Sequence, residues 1–499
     1  MVRHGAGPSL PTRTLHTPEG SRVILGLGVL VVRPLTQARR REQVNADVII
    51  IGSGQGGMPL AMDFSKRGRH VVLFERENVG GSCINYGCTP SKTFLASAHV
   101  AARARQARAL GVRADVTVDF PFVMNRVRGL VSTFRDGVRR RLAESGVDVI
   151  LGEATFSDVR TVRSGDVEVT APIVVINTGS SPAVPDIPGL RDVPYLTNKS
   201  FFSQTTLPDR CLVLGGGYVG LELGQGIAHL GSKVHIHHSA DRLLNTEEPA
   251  VSAVLSEALE EDGVKMTLNA RPTAVSFDGA VFELAMEDGS HWEGEQLLVA
   301  TGRRPNTAEL HAERSGVMLH DNGYVDVSPR FQTSCEGVYA IGEVCGQPAF
   351  THVAWEDYRR LLSILDGGNR RRDDRVLGYA IFTEPQIGRV GLTYDQARMR
   401  GINARSEEVP VAYAMRAIEW GQERGFYRMV VDRDTDKIIG ATLAGYEAAE
   451  LVHVFIALIQ SGSTWRALDD SVYIHPTFCE AFPSLARLFY APPADEATA

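Results

Sequence analysis

Apolar runs of four or five residues alternate along this chain with glycine turns and helical stretches, and the alternation repeats. Asp47 to Ile51 (DVIII) reads as a short strand, followed by GSGQGG with Gly52, Gly54 and Gly57, a helical stretch to Arg67, and a strand from His70 to Phe74 ending at Glu75. The same plan returns 163 residues later as a strand from Cys211 to Leu214, GGGYVG with Gly215, Gly217 and Gly220, a helix to about Leu230, and a strand from Val234 to His237. Each unit closes with an apolar strand running into Thr-Gly: Ile173 to Gly179, which includes Thr178, and Leu297 to Gly302. The pattern from Asp115 to Ser145 is helical, and Thr155 to Thr170 alternates as short strands, which suits a meander inserted in the first unit. A charged break (RRRDD) beginning near Arg371 precedes a segment of different texture, with its own strands and helices and a Pro-rich tail.

The expected fold is therefore α/β, with two Rossmann-like dinucleotide-binding domains and a C-terminal α+β domain. The first glycine of each turn permits the tight bend, the second lets the backbone approach a pyrophosphate, and the third lets helix pack on strand. One such turn is weak evidence; two, each between a strand and a helix, are strong. Glu75 lies 23 residues after Gly52, where a carboxylate can bind ribose hydroxyls.

Composition narrows the function. A chain of 499 residues, 43% hydrophobic and 22% charged, holds about three globular domains. A net charge of −7 gives no long-range attraction for nucleic acid or an anionic membrane, so a small-molecule substrate is expected. The longest apolar run, Val23 to Val32, is only about half a membrane span. Residues 1–46 carry seven arginines and two acids and are expected to be a disordered extension. Arg3, Arg13 and Arg22 precede the apolar run as in a signal peptide, but the run ends in Arg33 and Pro34 without a small-residue cleavage site, so a cytoplasmic location is expected.

Six cysteines are too few for a disulfide scaffold, and only Cys83 and Cys88, in GGSCINYGCTPSK, lie close together. Pro90 and Ser91 mark a helix start, and a thiol at a helix N-terminus has its thiolate stabilised. Reversible dithiol chemistry is one reading of the pair. A zinc site and two buried structural cysteines are the others, and zinc has no second Cys or His pair at ligand spacing nearby. No metal ligands are expected.

These residues resemble the pyridine nucleotide-disulphide oxidoreductases, the group that includes dihydrolipoamide dehydrogenase, glutathione reductase and mercuric reductase. The likeness covers about residues 47 to 488 and includes VYAIGEV (Val338 to Val344), FTEPQIGRVGLT (Phe382 to Thr393) and HPTFCE (His475 to Glu480). It implies an FAD-binding domain over 47–195 and 304–372, an NAD(P)-binding domain over 196–303, a dimerisation domain over 373–490 and a tail over 491–499. Gly52, Gly54, Gly57, Glu75, Thr178, Gly179, Gly342 and Glu343 would hold FAD; Gly215, Gly217, Gly220, His238 and Gly302 would hold the nicotinamide nucleotide. Cys83 resembles the thiol that attacks substrate, Cys88 the thiol against the flavin, and Lys92 the lysine near the flavin, paired with Glu222. His475 and Glu480 resemble the acid–base pair that serves the thiol from the other subunit of a homodimer. Hydride would pass from NAD(P)H to the flavin, then as electrons to the Cys83–Cys88 disulfide and on to a small disulfide or similar electrophile.

Departures from the family pattern bear on the substrate. Mercuric reductases carry a tyrosine where His475 stands, a C-terminal cysteine pair and often an N-terminal metal-binding domain. Dihydrolipoamide dehydrogenases have a histidine where Tyr473 stands. Glu343 replaces the usual aspartate, and Cys479 replaces a serine, with packing as its expected role. Tyr86 and Thr89 resemble a bacterial group often labelled mercuric reductase. Adding the repeat offset to Glu75 gives His238, which lacks the charge that repels a 2′-phosphate; with His237 and Arg242 nearby, NADPH is favoured over NADH. A mercuric-ion or quinone reductase on the same flavin platform, and a non-catalytic structural subunit of a larger complex, are the competing readings.

Overall fold

The structure, a computed structural model, describes residues 42–492. Val48–Ile51 is the middle strand of a five-stranded parallel sheet. Its order is Val338–Ala340, Ile173–Ile176, Val48–Ile51, Val71–Glu75 and Asp148–Leu151. All four residues of the middle strand are buried, because helices cover Val48 and Ile50 on one face and the meander strands cover Ile49 and Ile51 on the other. The helix Gly57–Lys66 makes the crossover to Val71–Glu75, as the pattern predicts. The second unit repeats this as a four-stranded parallel sheet, ordered Lys265–Thr267, Lys233–His237, Arg210–Leu214 and Gln296–Val299, with the helix Tyr218–Leu230 as its crossover.

The C-terminal unit is a five-stranded antiparallel sheet, ordered Gly378–Ile381, Gln386–Gly391, Ile438–Gly445, Phe426–Asp432 and Ala404–Pro410. The helix Ala448–Gln460 packs on it through Val452 and Phe455. One apolar cluster joins all three units: Phe94 and Leu95 pack with Leu223 and Ile227 of the second unit and with Ile381 and Ile387 of the third. The helix Cys88–Gln106, which carries Phe94 and Leu95, is thus clamped where the units meet.

Two sequence expectations need correction. The chain is not irregular up to residue 46: Glu42–Asn45 is a strand pairing parallel with Val167–Thr170, where it satisfies an otherwise open sheet edge and lays Val44 against the apolar cluster beneath. The helix predicted from Asp115 begins only at Phe120, because the Asp119 carboxylate accepts the Phe122 N–H at 2.9 Å and Pro121 occupies the first turn. The apolar run Val23 to Val32 and most of the tail lie outside the described residues. Among the described residues no helix is long and apolar enough to cross a membrane.

Candidate functional site

Cys83 lies in the short helix Gly81–Asn85, and Cys88 is the first residue of the helix Cys88–Gln106. That position gives the Cys88 sulfur the unpaired N–H groups of a first helical turn. The two thiols are unbridged and within hydrogen-bonding reach. The Cys83 S–H donating to Cys88 lowers the Cys88 pKa to about 6 against the opposing effect of burial, helped by the Thr351 hydroxyl at 3.3 Å and the charge of Lys92. The same hydrogen bond, with burial, pushes the Cys83 thiol up. Cys88 therefore holds the thiolate and Cys83 the proton.

One helical turn on, the Lys92 ammonium donates to Glu222 Oε2 at 2.7 Å and lies 4.5 Å from the centre of the Phe382 ring. Glu222 is buried, and its Oε1 accepts the Phe382 N–H at 2.9 Å, so all three units fix this ion pair. Cys83, Cys88, Lys92 and Glu222 share a cavity of about 1280 Å³ with Gly52, Gly54, Glu75, Thr178, Gly179 and Glu343. Two lining residues escaped the sequence reading. Arg303, beside the Thr-Gly signal, donates to Glu343 Oε1 at 2.7 Å; Thr351, with no motif to mark it, touches Cys88.

The glycine turns show why side chains are excluded. At Gly52 (φ +100°) a Cβ would overlap the Asn177 carbonyl, and at Gly57 it would overlap the Gly52 carbonyl oxygen. The second unit repeats the device: a Cβ on Gly215 would meet the Ala300 carbonyl, and one on Gly220 the Gly215 carbonyl. Gly217 forms the cap of its helix with free space beside it, and Gly302 is exposed with its carbonyl accepting from Ala183. Gly342 donates its N–H to Asp357 at 2.8 Å.

His238 accepts the Gly216 N–H at its Nδ1, 3.1 Å away. The expectation that His237 stands beside it is not met. His237 is buried, stacked on His235 at 4.1 Å and tilted against Trp292, and burial pulls its pKa down to about 3. It carries no charge toward a ligand.

His475 and Glu480 form a second constellation. His475 Nδ1 lies 2.7 Å from Glu480 Oε2, and Glu480 also accepts the Met415 N–H at 2.5 Å. Burial opposes ionisation of Glu480, but these bonds outweigh it and hold the carboxyl below its ordinary range. Pro476 lies outside the helical turn that follows: Thr477 is the cap, in a reciprocal box with Glu480, and the turn starts at Phe478. Neither His475 nor Glu480 lines the cavity of the cysteines, and the imidazole is 70% exposed. Cys479 packs against the C-terminal core.

Family comparison agrees with this geometry. The model of the pyridine nucleotide-disulphide oxidoreductases matches residues 46–357, and that of the family's dimerisation domain matches residues 378–486. The chain belongs to this family. It is 34% identical to a mercuric reductase of Staphylococcus aureus over 89% of this chain and 82% of the relative. It is 32% identical to a dihydrolipoyl dehydrogenase of Halobacterium salinarum, over 87% and 94% of the two chains. The solved HOCl-induced flavoprotein disulfide reductase RclA of Escherichia coli superposes with a TM-score of 0.81 at 31% identity, covering 89% of this chain and 99% of that one. As a member of the family the protein is an NAD(P)H-dependent flavoenzyme that moves electrons through FAD to a redox disulfide, and its C-terminal unit is a dimerisation domain. The cavity suits FAD: bare glycine backbone lines it at Gly52, Gly54 and Gly179, and the Thr178 hydroxyl is buried in it without a protein partner.

Proposed function

We propose that the protein is an NADPH-dependent reductase of a small disulfide, with each active site shared between two chains. FAD bound in the cavity supplies the two-electron relay from nicotinamide to the cysteine pair. Cys83 gives its proton to His475 and attacks one sulfur of the substrate, releasing the first thiol with that proton. The Cys88 thiolate then attacks the Cys83 sulfur, which expels the second product as a thiolate and restores the Cys83–Cys88 bond. Glu222 fixes the Lys92 ammonium where the cavity meets Cys88.

The observation that carries this reading is the divided machinery. A low-pKa thiolate sits in the cavity, while the imidazole–carboxylate pair stands on the surface of the dimerisation domain. Around that pair Val472, Ile474, Met415, Ile418 and Trp420 are exposed, an apolar surface that suits burial against a second chain. His238 in place of an acid supports NADPH. A metal ion as oxidant is a second reading, favoured by the mercuric reductases among the relatives and by the solved Cu(II) complex of RclA.

His475→Gln should leave flavin reduction by NADPH intact and slow disulfide turnover by about 10² to 10⁴, the usual weight of general acid–base catalysis. Mixing Cys83→Ser with His475→Gln chains should restore partial activity, because one site per heterodimer is then whole. A fully active monomer, or no rescue despite subunit exchange, contradicts the shared site. Turnover with Hg(II) or Cu(II) but with no disulfide would replace the substrate assignment.

A further inference from the structure

The helices Cys88–Gln106 and Tyr218–Leu230 run side by side in the same direction, with Lys92 against Glu222 and Phe94 against Gly226. Seven residues on, about two turns or 10 Å along the seam, the helices meet again in a polar pair, His99 and His229, with ring centres 6.1 Å apart. The chain segment that gives its Phe382 N–H to Glu222 continues to Glu384, whose backbone N–H donates to Gln225 at 2.8 Å and whose carbonyl accepts from Gln225 at 2.7 Å. Its carboxylate is thereby delivered to the two histidines: Glu384 Oε1 is 3.5 Å from His99 Nδ1, and Oε2 is 3.9 Å from His229 Nδ1.

The orientation of His229 follows from its other neighbour. Its Nε2 lies 2.8 Å from Asp262 Oδ2, which also accepts from Gln225, and a carboxylate only accepts. Nε2 is thus taken up by Asp262, and Nδ1 is the nitrogen left for another partner. That Nδ1 is buried without a hydrogen-bond partner, on a side chain only 4% exposed, and it faces the Glu384 carboxylate. A metal ion between that nitrogen and the carboxylate would give both a partner. A carboxylate behind the remote ring nitrogen is also how protein-bound metals orient their histidines.

We propose that His99, His229 and Glu384 bind one divalent transition-metal ion of the zinc type, with Asp262 as a positioning residue behind His229. The three donor atoms all lie within 4.8 Å of one another. Two imidazoles and a carboxylate form a set suited to Zn(II), which also accepts water as a fourth ligand. Donors of a tetrahedral zinc site at about 2.0–2.1 Å stand roughly 3.4 Å apart, so the cluster closes by small side-chain movements. Arg103, 3.5 Å from Glu384 Oε1, is the competing cation, but its guanidinium is also held over the Tyr446 ring and by the Tyr446 hydroxyl. The ligands come from all three units, so the ion would tie their junction together, two turns from Lys92. This site is separate from the cysteine pair and does not rest on the proposed oxidant.

The test uses the full-length FAD-loaded protein, stripped with chelator and kept oxidised so that Cys83 and Cys88 offer no free thiols. Equilibrium dialysis against Zn(II) in excess Mg(II) should give one zinc per chain, and zinc should raise the melting temperature. Cu(II) in the same site should show an EPR spectrum with two coordinated nitrogens. His99→Asn should remove one of them and weaken zinc binding at least tenfold, with FAD content and reduction by NADPH unchanged. Asp262→Asn should weaken it about 10- to 100-fold. No zinc bound by the unaltered protein overturns the proposal, whatever the variants do. Binding that His99→Asn and Glu384→Gln leave unchanged also overturns it.

Discussion

The two dinucleotide units share a backbone plan and differ in the polar group at the end of the second strand. In the first, the Glu75 carboxylate at the end of the second strand accepts the Ser53 N–H at 3.1 Å and the Ser53 hydroxyl at 2.5 Å. In the second, His238 occupies the same place and accepts the N–H of Gly216, the residue after the first glycine, just as Ser53 follows Gly52. The loop is tied to the strand in both units, but by an anion in one and by a ring whose Nδ1 lone pair requires a neutral imidazole in the other. Burial, which lowers the His238 pKa, favours that neutral form. A structural bond can thus be conserved while the charge offered to a ribose changes. The first unit is also enclosed by the cysteine helix and by Thr351 and Arg303, whereas the second reaches that cavity through the start of its helix, at Tyr218, Val219, Glu222 and Leu223, and through the segment from Thr197 to Phe202.

Breaking the shared backbone device should separate the units most sharply. Gly57→Ala places a methyl group on the Gly52 carbonyl oxygen, and purified protein should lack flavin absorbance. Gly220→Ala makes the equivalent collision with Gly215, yet FAD should remain bound while kcat/KM for NADPH falls about 10²-fold, the cost of misplacing a reactant by an ångström. Equal flavin loss in both variants would mean that the two turns do not serve separate nucleotides.

A smaller effect tests the position at the end of that strand. His238→Glu restores the acid and should reduce kcat/KM for NADPH relative to NADH by about tenfold, equivalent to about 1.4 kcal/mol. If the unaltered protein already uses NADH more than about tenfold better, the neutral ring is no selector and NADPH is the wrong cofactor.

Both βαβ units were legible because their signals are local: apolar strands, glycines that no side chain can replace, and a repeat that brought His238 into register with Glu75. The cysteine pair was legible for the same reason. The strand Glu42–Asn45 was not, because four polar-rich residues become a strand only beside the meander that receives them. His99, His229 and Glu384 gave no signal either, since their meeting depends on two helices packing in register and on Gln225 holding the backbone of Glu384. His237 misled: adjacent to His238 in sequence, it faces the opposite side of the strand, toward Trp292.

The most direct test of the account is an anaerobic reductive titration of the FAD-loaded protein, followed by absorbance across pH. With the Cys88 thiolate beside the flavin, two-electron reduction should produce a long-wavelength absorption shoulder. The folded-state pKa of Cys88 is lowered, so the thiolate is present above it and lost below it; the shoulder should be full at pH 8 and fade with an apparent pKa near 6. Cys88→Ser should abolish it and Cys83→Ser should retain it. A shoulder that persists in Cys88→Ser, or none in the unaltered protein at pH 8, would contradict the placement of Cys88 against the flavin.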